Sequence, residues 1–207
     1  MEQLPEHVKG LAITVTGVLV LSPDSLLVRL IATDPWTMVF WRGVLTALGL
    51  VIWLALFYRA ETLARMRAIG RSGLAVSLLL AGSSIHFVLA LSHTSVANTL
   101  VIIAASPLIT AVFCQLFLGE AVRPRTWAAI LTALAGILIL ASDSLGAGTL
   151  GGDLAALATA GFLAGAYTII RAGRTRNMVP AMALSGLWSA LIVLPLASPL
   201  VLDPGQA

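Results

Sequence analysis

Charged residues are scarce in this chain. Only 10% of its 207 residues are Asp, Glu, Lys or Arg, whereas 59% are hydrophobic. About a quarter of the residues in an ordinary soluble domain are charged, so the composition excludes that class and predicts an integral membrane protein. The net charge of +3 does not indicate nucleic-acid binding, because the basic residues fall in short loops between apolar runs, where lipid headgroups and topology account for them.

Cysteine is also rare, and the signature motifs of enzymes are missing. Cys114 is the only cysteine and lies inside an apolar run, which excludes a disulfide framework and a thiolate metal site. The three histidines do not have metal-ligand spacing, and Gly82-Ser83-Ser84 does not complete a nucleophile motif. A phosphate-binding glycine loop with a lysine is absent as well, since Lys9 is the only lysine. We therefore predict a non-enzymatic protein without a metal or cofactor.

What the sequence does contain is long apolar runs. A window of about 20 residues, the length that crosses a bilayer as a helix, predicts an all-α integral membrane protein with seven transmembrane helices. Residues 1–9 precede them as a short tail whose Glu2 and Glu6 do not suit a cleaved signal peptide. The predicted spans are Gly10–Ile31, Trp36–Tyr58, Gly73–Leu91, Val96–Leu118, Thr126–Ala141, Asp153–Ile170 and Val179–Pro199.

The basic residues fall in alternate loops, which predicts the orientation. Lys9 precedes the first span, and arginines cluster after the second, fourth and sixth spans, while the other loops contain none. By the positive-inside rule the amino terminus and these arginine-bearing loops are cytoplasmic. The arginines concerned are Arg59, Arg65, Arg67, Arg71, Arg123, Arg125, Arg171, Arg174 and Arg176.

The stretch from Ala90 to Leu140 reads as a transmembrane hairpin. Val96–Leu118 contains no charged residue, Arg123-Pro124-Arg125 forms a short turn, and Trp127 stands at the level of the interface. Ser106-Pro107 lies near the middle of the first arm. Because proline removes a backbone hydrogen bond, a defect tolerated in a bilayer only beside protein or a wet cavity, this arm is predicted to face an interior.

The hairpin carries a family pattern: Ala90-Leu91, Thr94, Pro107-Leu108, Gly119-Glu120 and Gly136, in order and inside correctly sized spans. It resembles the end of the first repeat in the EamA family of the drug/metabolite transporter superfamily. The resemblance implies a ten-helix protein built from two inverted five-helix repeats. It also implies a secondary-active transporter of the bacterial inner membrane that exports amino acids or other small metabolites by alternating access.

On this interpretation, residues 10–142 form the first repeat and residues 152–207 begin the second, so the arrangement is truncated after helix seven. Aligning Gly10 with Gly152 places Arg29 on Arg171, and a three-residue shift places Pro35 on Pro180. Five spans separate the copies, so the second copy is inverted, as in many transporters. The alternatives are a true seven-helix protein and a membrane fragment or scaffold that does not transport.

Three charged residues inside predicted spans are the first candidate site residues. Asp24 stands near the midplane of the first span, with Arg29 on the same helix and Arg42 in the second. A charge at such depth needs a partner or water. The group is either a proton or substrate site or a charge pair that fixes helix packing. Arg42 either corresponds to the arginine often found at that place in the family or extends outward to lipid headgroups.

Polar groups in the later spans are further candidates for a substrate or proton pathway. Each is either a pathway residue or ordinary packing between helices, and the resemblance favours helices one, three, four and six as cavity-lining. These candidates are His86, Asn98, Ser106, Pro107, Gln115 and Tyr167. Glu120 is interpreted as structural, with a carboxylate that pairs locally or organises the loop. The expected partners are a small-molecule substrate and the lipid bilayer, with proton coupling and no nucleic acid.

The fifth and sixth spans are rich in small residues, which let helix backbones approach closely. These two spans are therefore predicted to serve helix packing and not lipid contact alone. The small residues concerned are Ala133, Ala135, Gly136, Gly161 and Gly165.

Overall fold

The computed structural model describes residues 10–11, 14–16, 34–59, 66, 69–141, 149–173 and 178–198. The chain divides into two compact units, Met1–Ala32 and Thr33–Ala207. In the first unit, residues 10–11 and 14–16 are helical, and the Thr14 hydroxyl donates a hydrogen bond to the carbonyl of Gly10 at 2.8 Å. The rest of the first predicted span lies outside the described residues.

The second unit is built from helices, as the apolar runs predict. Across its described residues all regular secondary structure is helical, which confirms the all-α class. In chain order the helices are α1 Pro35–Tyr58, α2 Gly70–His93, α3 Val96–Ile103, α4 Ser106–Leu118, α5 Pro124–Ala141, α6 Leu150–Ala172 and α7 Val179–Val193.

Four helical segments of the described chain are long and apolar enough to cross a membrane. They are α1, α2, the combined segment Val96–Leu118 and α6, whereas α5 and α7 are shorter apolar helices. Each coincides with a predicted span to within a few residues. The chain is therefore an all-helical membrane protein, and the helices after Asp34 follow the order that the sequence predicts.

The fourth predicted span is broken where Ser106-Pro107 predicts a defect. Residues 104–105 form a turn between α3 and α4, in which the Ala105 N–H bonds to the Ile102 carbonyl at 3.1 Å in place of the regular helical partner. Pro107 has no N–H, so the carbonyl of Ile103 cannot receive its regular i+4 hydrogen bond. One hydrophobic span thus consists of two short helices.

The ends of α1 and α4 follow local chemistry. Asp34 caps α1, because its carboxylate accepts from the backbone N–H groups of Trp36 and Thr37 at 3.1 Å. Gly119 ends α4 in the left-handed conformation at φ 64°, and the Glu120 N–H reaches back to the Cys114 carbonyl. The helix therefore ends at Leu118, where the predicted span Val96–Leu118 also ends.

Helices α2 and α6 form the centre of the bundle. α2 packs against α1, α3, α6 and α7, and α6 packs against α2, α3 and α4. Small side chains make this possible, since Ala156, Ala160 and Ala164 on α6 are completely buried. Val76, near the start of α2, packs with Ala166, near the end of α6, and with Ala181 of α7 in a small hydrophobic cluster. α5 packs against α3 and α4 and keeps much of its surface exposed.

Helices α1 and α7 meet through two glycines. A Cβ placed on Gly43 would lie 2.6 Å from the Gly186 carbonyl oxygen, and one on Gly186 would lie 2.6 Å from the Gly43 carbonyl oxygen. Ser198, just after α7, donates its backbone N–H to the hydroxyl of Thr37 in the first turn of α1 at 3.0 Å. The two helices therefore run antiparallel in close backbone contact.

The prediction that small residues mark close helix packing is partly wrong. A Cβ on Gly136 or Gly161 would meet no heavy atom of the described chain within 4 Å, and one on Gly165 would make only an ordinary contact with Leu79. In α5, Gly136 lies on a helix with few neighbours, so its small size is not used for packing in the described structure. The close approaches occur instead at Gly43 and Gly186.

Candidate functional site

A cluster of polar side chains joins α2, α3 and α6 at one end of the bundle. The Asp153 carboxylate, in the first turn of α6, accepts hydrogen bonds from the Thr94 hydroxyl at 3.1 Å and from the Asn98 amide. The same Asn98 amide nitrogen donates to the Thr94 hydroxyl oxygen at 3.2 Å. Thr94 and Asn98 are buried, at 4% and 6% exposure, so the carboxylate satisfies polar groups that water does not reach.

The start of α6 adds backbone contacts to this cluster. The Thr149 hydroxyl caps the helix by accepting from the Gly152 N–H at 3.2 Å and donates to the His93 carbonyl at 2.7 Å. A Cβ on Gly152 would lie 2.8 Å from the His93 carbonyl carbon and 2.9 Å from the Thr94 nitrogen. We call this region, formed by Thr94, Asn98, Thr149, Gly152 and Asp153, the sealed end.

A cavity of about 570 Å³ lies at the other end of α6, between α4, α5 and α6. Asp153 and Arg171 are 18 positions apart on α6, which corresponds to a separation of about 27 Å along the helix axis. The volume is in the range of small-molecule sites. The lining residues are Pro107, Thr110, Ala111, Cys114, Ala121, Val122, Arg123, Thr126, Ile130, Tyr167 and Arg171.

An ion pair stands at the cavity. Arg171, at the end of α6, donates from Nε to the Glu120 carboxylate at 2.6 Å, and the two side chains are 51% and 32% exposed. This partner of Glu120 lies 51 positions away in the sequence, and local pairing or organisation of the loop by Glu120 stays a prediction. Because the pair is exposed to solvent, it contributes little to stability. It does connect the α4–α5 turn to α6, and we call Glu120, Arg123 and Arg171 the basic end.

The profile of the EamA-like transporter family matches residues 8–142, about two-thirds of the chain. The chain belongs to the EamA-like transporter family. No curated protein and no solved structure matches it. Membership confirms the resemblance carried by the hairpin and places the chain in the drug/metabolite transporter superfamily. It is a multi-pass membrane protein of a transporter family, and this family is not an enzyme family.

In this EamA protein, two of the predicted pathway residues line the cavity. Pro107 does so from the first turn of α4, and Tyr167 does so from α6. Ser106 is buried, and its carbonyl accepts from the hydroxyl of Thr110, a lining residue, at 2.7 Å. Gln115 is exposed and does not belong to the lining. Their roles in transport stay predictions.

Two other candidates lie away from the cavity. Asn98 belongs to the sealed end. His86, on α2, bonds through Nδ1 to the carbonyl of Gly82 at 2.8 Å, and its ring centroid lies 5.2 Å from that of Phe162 on α6. Since a carbonyl oxygen only accepts, Nδ1 carries a proton and donates it to this hydrogen bond. His86 thus packs between two helices of the EamA bundle.

The charged candidates of the first two spans are only partly described. The guanidinium of Arg42 lies over the Phe87 ring, 5.1 Å from its centroid, a cation–π contact that joins α1 to α2. Asp24 and Arg29 lie outside the described residues. Their pairing with Arg42, and the proton or substrate role of Asp24, stay predictions.

Sequence reasoning missed Asp153 and Arg123 as parts of these two regions, because it treated them as a boundary residue and a topology signal. A usable signal exists for Asp153. Acidic residues are rare here, and this one follows Thr149 and Gly152 at the start of an apolar helix, where a carboxylate also interacts favourably with the helix dipole. Its partners lie 55 and 59 positions away, a relation that no local pattern contains.

Proposed function

We propose that this EamA protein is a secondary-active transporter that exports a small metabolite, such as an amino acid or a related solute, across the bacterial inner membrane by alternating access. The observation that carries the proposal is the contrast along α6. One end is closed by buried hydrogen bonds and close backbone contact, and the other opens into a cavity of about 570 Å³. A pathway open to one side at a time has this asymmetry.

The contact between α1 and α7 supports the inverted-repeat part of the proposal. In a five-plus-five arrangement of inverted repeats the second and seventh spans are equivalent helices that run in opposite directions. Helices α1 and α7 run antiparallel and approach each other closely at Gly43 and Gly186. We propose that the chain contains the first repeat and the first two helices of a second.

The proposed orientation places the basic end in the cytoplasm and the sealed end outside. In a Cys114→Ala background, a cysteine at Arg125 should resist a membrane-impermeant thiol reagent in intact cells, whereas a cysteine at the exposed Leu150 should react. Arg125 follows Arg123 in the α4–α5 turn, and Leu150 opens α6 beside Thr149. The opposite labelling pattern would reverse the orientation.

The lone cysteine supplies a direct test of the pathway. Cys114 lines the cavity and is 3% exposed, so alkylation with N-ethylmaleimide adds bulk inside the cavity. We expect alkylation to abolish counterflow of a transported solute in proteoliposomes and saturating solute to slow the alkylation. Cys114→Ala is the matched control and should transport in the presence of the reagent.

Two outcomes would contradict the proposed pathway or the proposed function. Full alkylation without loss of counterflow would remove the cavity from the pathway. If no solute from a broad set of amino acids, organic acids and amines gives counterflow, the chain is the membrane scaffold that the sequence leaves as the alternative.

Proton coupling through Asp24 belongs to the same proposal and rests on the sequence, which places a carboxylate near the midplane of the first span. Asp24→Asn cannot cycle between charged and neutral forms. It should lose flux driven by a pH gradient while retaining solute protection of Cys114. Unchanged gradient-driven flux in this variant would contradict the role.

A further inference from the structure

We infer that the solute held in the cavity is a small monoanion with an apolar body, and that Arg123 selects for its negative charge. This inference rests on the proposed function, because it assumes that the transported solute occupies the cavity between α4, α5 and α6.

The charges around the cavity carry the first step. Two guanidinium groups belong to the lining, and no acidic residue of the described chain does. Glu120 compensates Arg171 through the ion pair at 2.6 Å. Arg123 has no acidic partner within the described ranges. Among the described residues, the cavity therefore carries one positive charge without an acidic partner, which favours a ligand with one negative charge over a neutral or cationic one.

The geometry of Arg171 carries the second step. Its hydrogen bond to Glu120 uses Nε, and a guanidinium has four further N–H donors on its terminal nitrogens. Glu120 thus holds the side chain in place without using its terminal donors. A carboxylate in the cavity can be held by charge attraction to Arg123 and by hydrogen bonds from Arg171.

The other lining residues indicate the chemistry of the uncharged part of the solute. Ala111, Cys114, Val122 and Ile130 provide an apolar wall, and hydroxyl groups of Thr110, Thr126 and Tyr167 provide a few hydrogen-bonding positions. Small-molecule sites combine such apolar walls with a few polar groups that fix orientation. A compact carboxylate with an aliphatic or aromatic body fits this chemistry.

The same chemistry could be met by the headgroup of an anionic lipid, since Arg123 lies in a turn between membrane helices. We assign the site to a soluble monoanion because the buried Cys114 and Ala111 form part of the wall, deeper than a headgroup at the interface. The experiment contains an arm for each source.

The experiment measures the alkylation rate of Cys114 in the 207-residue chain, in nanodiscs of phosphatidylcholine alone. The probes are 3-phenylpropionate, its neutral amide and the cationic 3-phenylpropylamine, which match in size and differ in charge. We expect the acid to halve the rate at a concentration at least about tenfold lower than either analogue, a factor that corresponds to about 1.4 kcal/mol.

Two variants assign the preference to Arg123. Arg123→Gln should remove the difference between acid and amide, and Arg123→Lys should restore most of it. Arg125→Gln is the matched control, since Arg125 is exposed two positions further along and does not line the cavity. It should retain the full preference. Loss of the preference in Arg125→Gln as well, or its retention in Arg123→Gln, would overturn the assignment to Arg123.

The outcomes separate this inference from the proposed function. If the acid, the amide and the amine slow the alkylation of Cys114 equally, or if none of them slows it, the solute is not selected as a monoanion. The transporter function is then still tested separately by the counterflow experiment. In nanodiscs with added phosphatidylglycerol, slowing of alkylation by the lipid without further protection by the acid would assign the site to a headgroup and overturn the soluble solute. Undiminished protection by the acid there supports the inference.

Discussion

The two ends of α6 show opposite solutions to the placement of a charge in a membrane protein. At the sealed end the Asp153 carboxylate is held by two side chains, one of them buried Asn98, beside a glycine that allows backbone contact. At the basic end Arg171 makes an exposed ion pair next to an open cavity. Buried polar contacts with close packing belong to the most stable parts of a structure, and exposed pairs to the parts that open easily.

The sealed end and the basic end should therefore control different properties of the protein. Changes at the sealed end should alter the stability of the whole bundle, because they leave buried groups unsatisfied or force helices apart. Changes at the basic end should alter access to the cavity with little effect on stability. Thermal unfolding in detergent measures the first property, and the alkylation rate of Cys114 measures the second.

The largest effect is expected for Gly152→Ala. The added Cβ would lie 2.7 Å from the Thr94 Cβ and 2.8 Å from the His93 carbonyl carbon, atoms that cannot rotate away. We expect a loss of about 3 kcal/mol, in the upper part of the range for overpacked sites. The control is Gly151→Ala, where a Cβ meets nothing within 4 Å in the described structure; it should be neutral or gain less than about 1 kcal/mol. Similar stability of the two variants would refute the close approach.

The next largest effect concerns Asp153. Asp153→Ala leaves the buried Asn98 amide without its carboxylate acceptor, and an unsatisfied buried donor costs about 2 kcal/mol. Asp153→Asn keeps an oxygen acceptor but loses the charge, so it should cost less. Both variants should also lower the alkylation rate of Cys114. Weaker contacts at the sealed end favour a state that is open there and closed at the basic end, where Cys114 lines the cavity. Wild-type unfolding temperature in Asp153→Ala would show that the seal does not stabilise the bundle.

A smaller effect is expected at the basic end. Glu120→Gln removes the ion pair with Arg171, which should cost little stability because solvent screens an exposed pair. The unfolding temperature should therefore change little, while Cys114 should alkylate faster as the contact between the α4–α5 turn and α6 is lost. A destabilisation as large as that of Asp153→Ala would erase the proposed difference between the ends.

The least destabilisation is expected for Gly136→Ala on α5. A Cβ at this position meets no described heavy atom within 4 Å, so the substitution should be neutral or should raise stability by no more than about 1 kcal/mol, from helix propensity alone. The measurement is the unfolding temperature beside that of Gly152→Ala. A large loss would indicate that Gly136 packs against a neighbour after all.

Local patterns in the sequence predict much of the fold and less of the site. Apolar runs of membrane-spanning length locate the helices after Asp34, and Pro107 marks the break between α3 and α4, because both effects depend only on neighbouring residues. The contacts of Asp153 with Thr94 and Asn98 depend on how α2, α3 and α6 align along their axes. That alignment is decided by packing over the whole bundle, so no motif predicts it.

Small residues illustrate the same limit. The sequence marks Gly136 and Gly161 for packing because they stand among alanines, yet the close approaches are at Gly43, Gly152 and Gly186. A glycine permits close approach but does not select the helix that approaches. Pro107 and Tyr167, two of the pathway candidates, line the cavity, and their role in transport stays a prediction. Arg123 also lines it, although its position in the sequence indicates only topology.

The break between α3 and α4 has a consequence for how the protein is made and how it works. Val96–Leu118 is one apolar segment of 23 residues, so the insertion machinery can treat it as a single unit. In the folded protein it consists of two helices that meet at Ala104-Ala105: α3 carries Asn98 at the sealed end, and α4 carries Ala111 and Cys114 in the cavity wall. Because the regular helical pattern is interrupted at this turn, a change in the angle between α3 and α4 would leave the hydrogen bonds inside each helix intact.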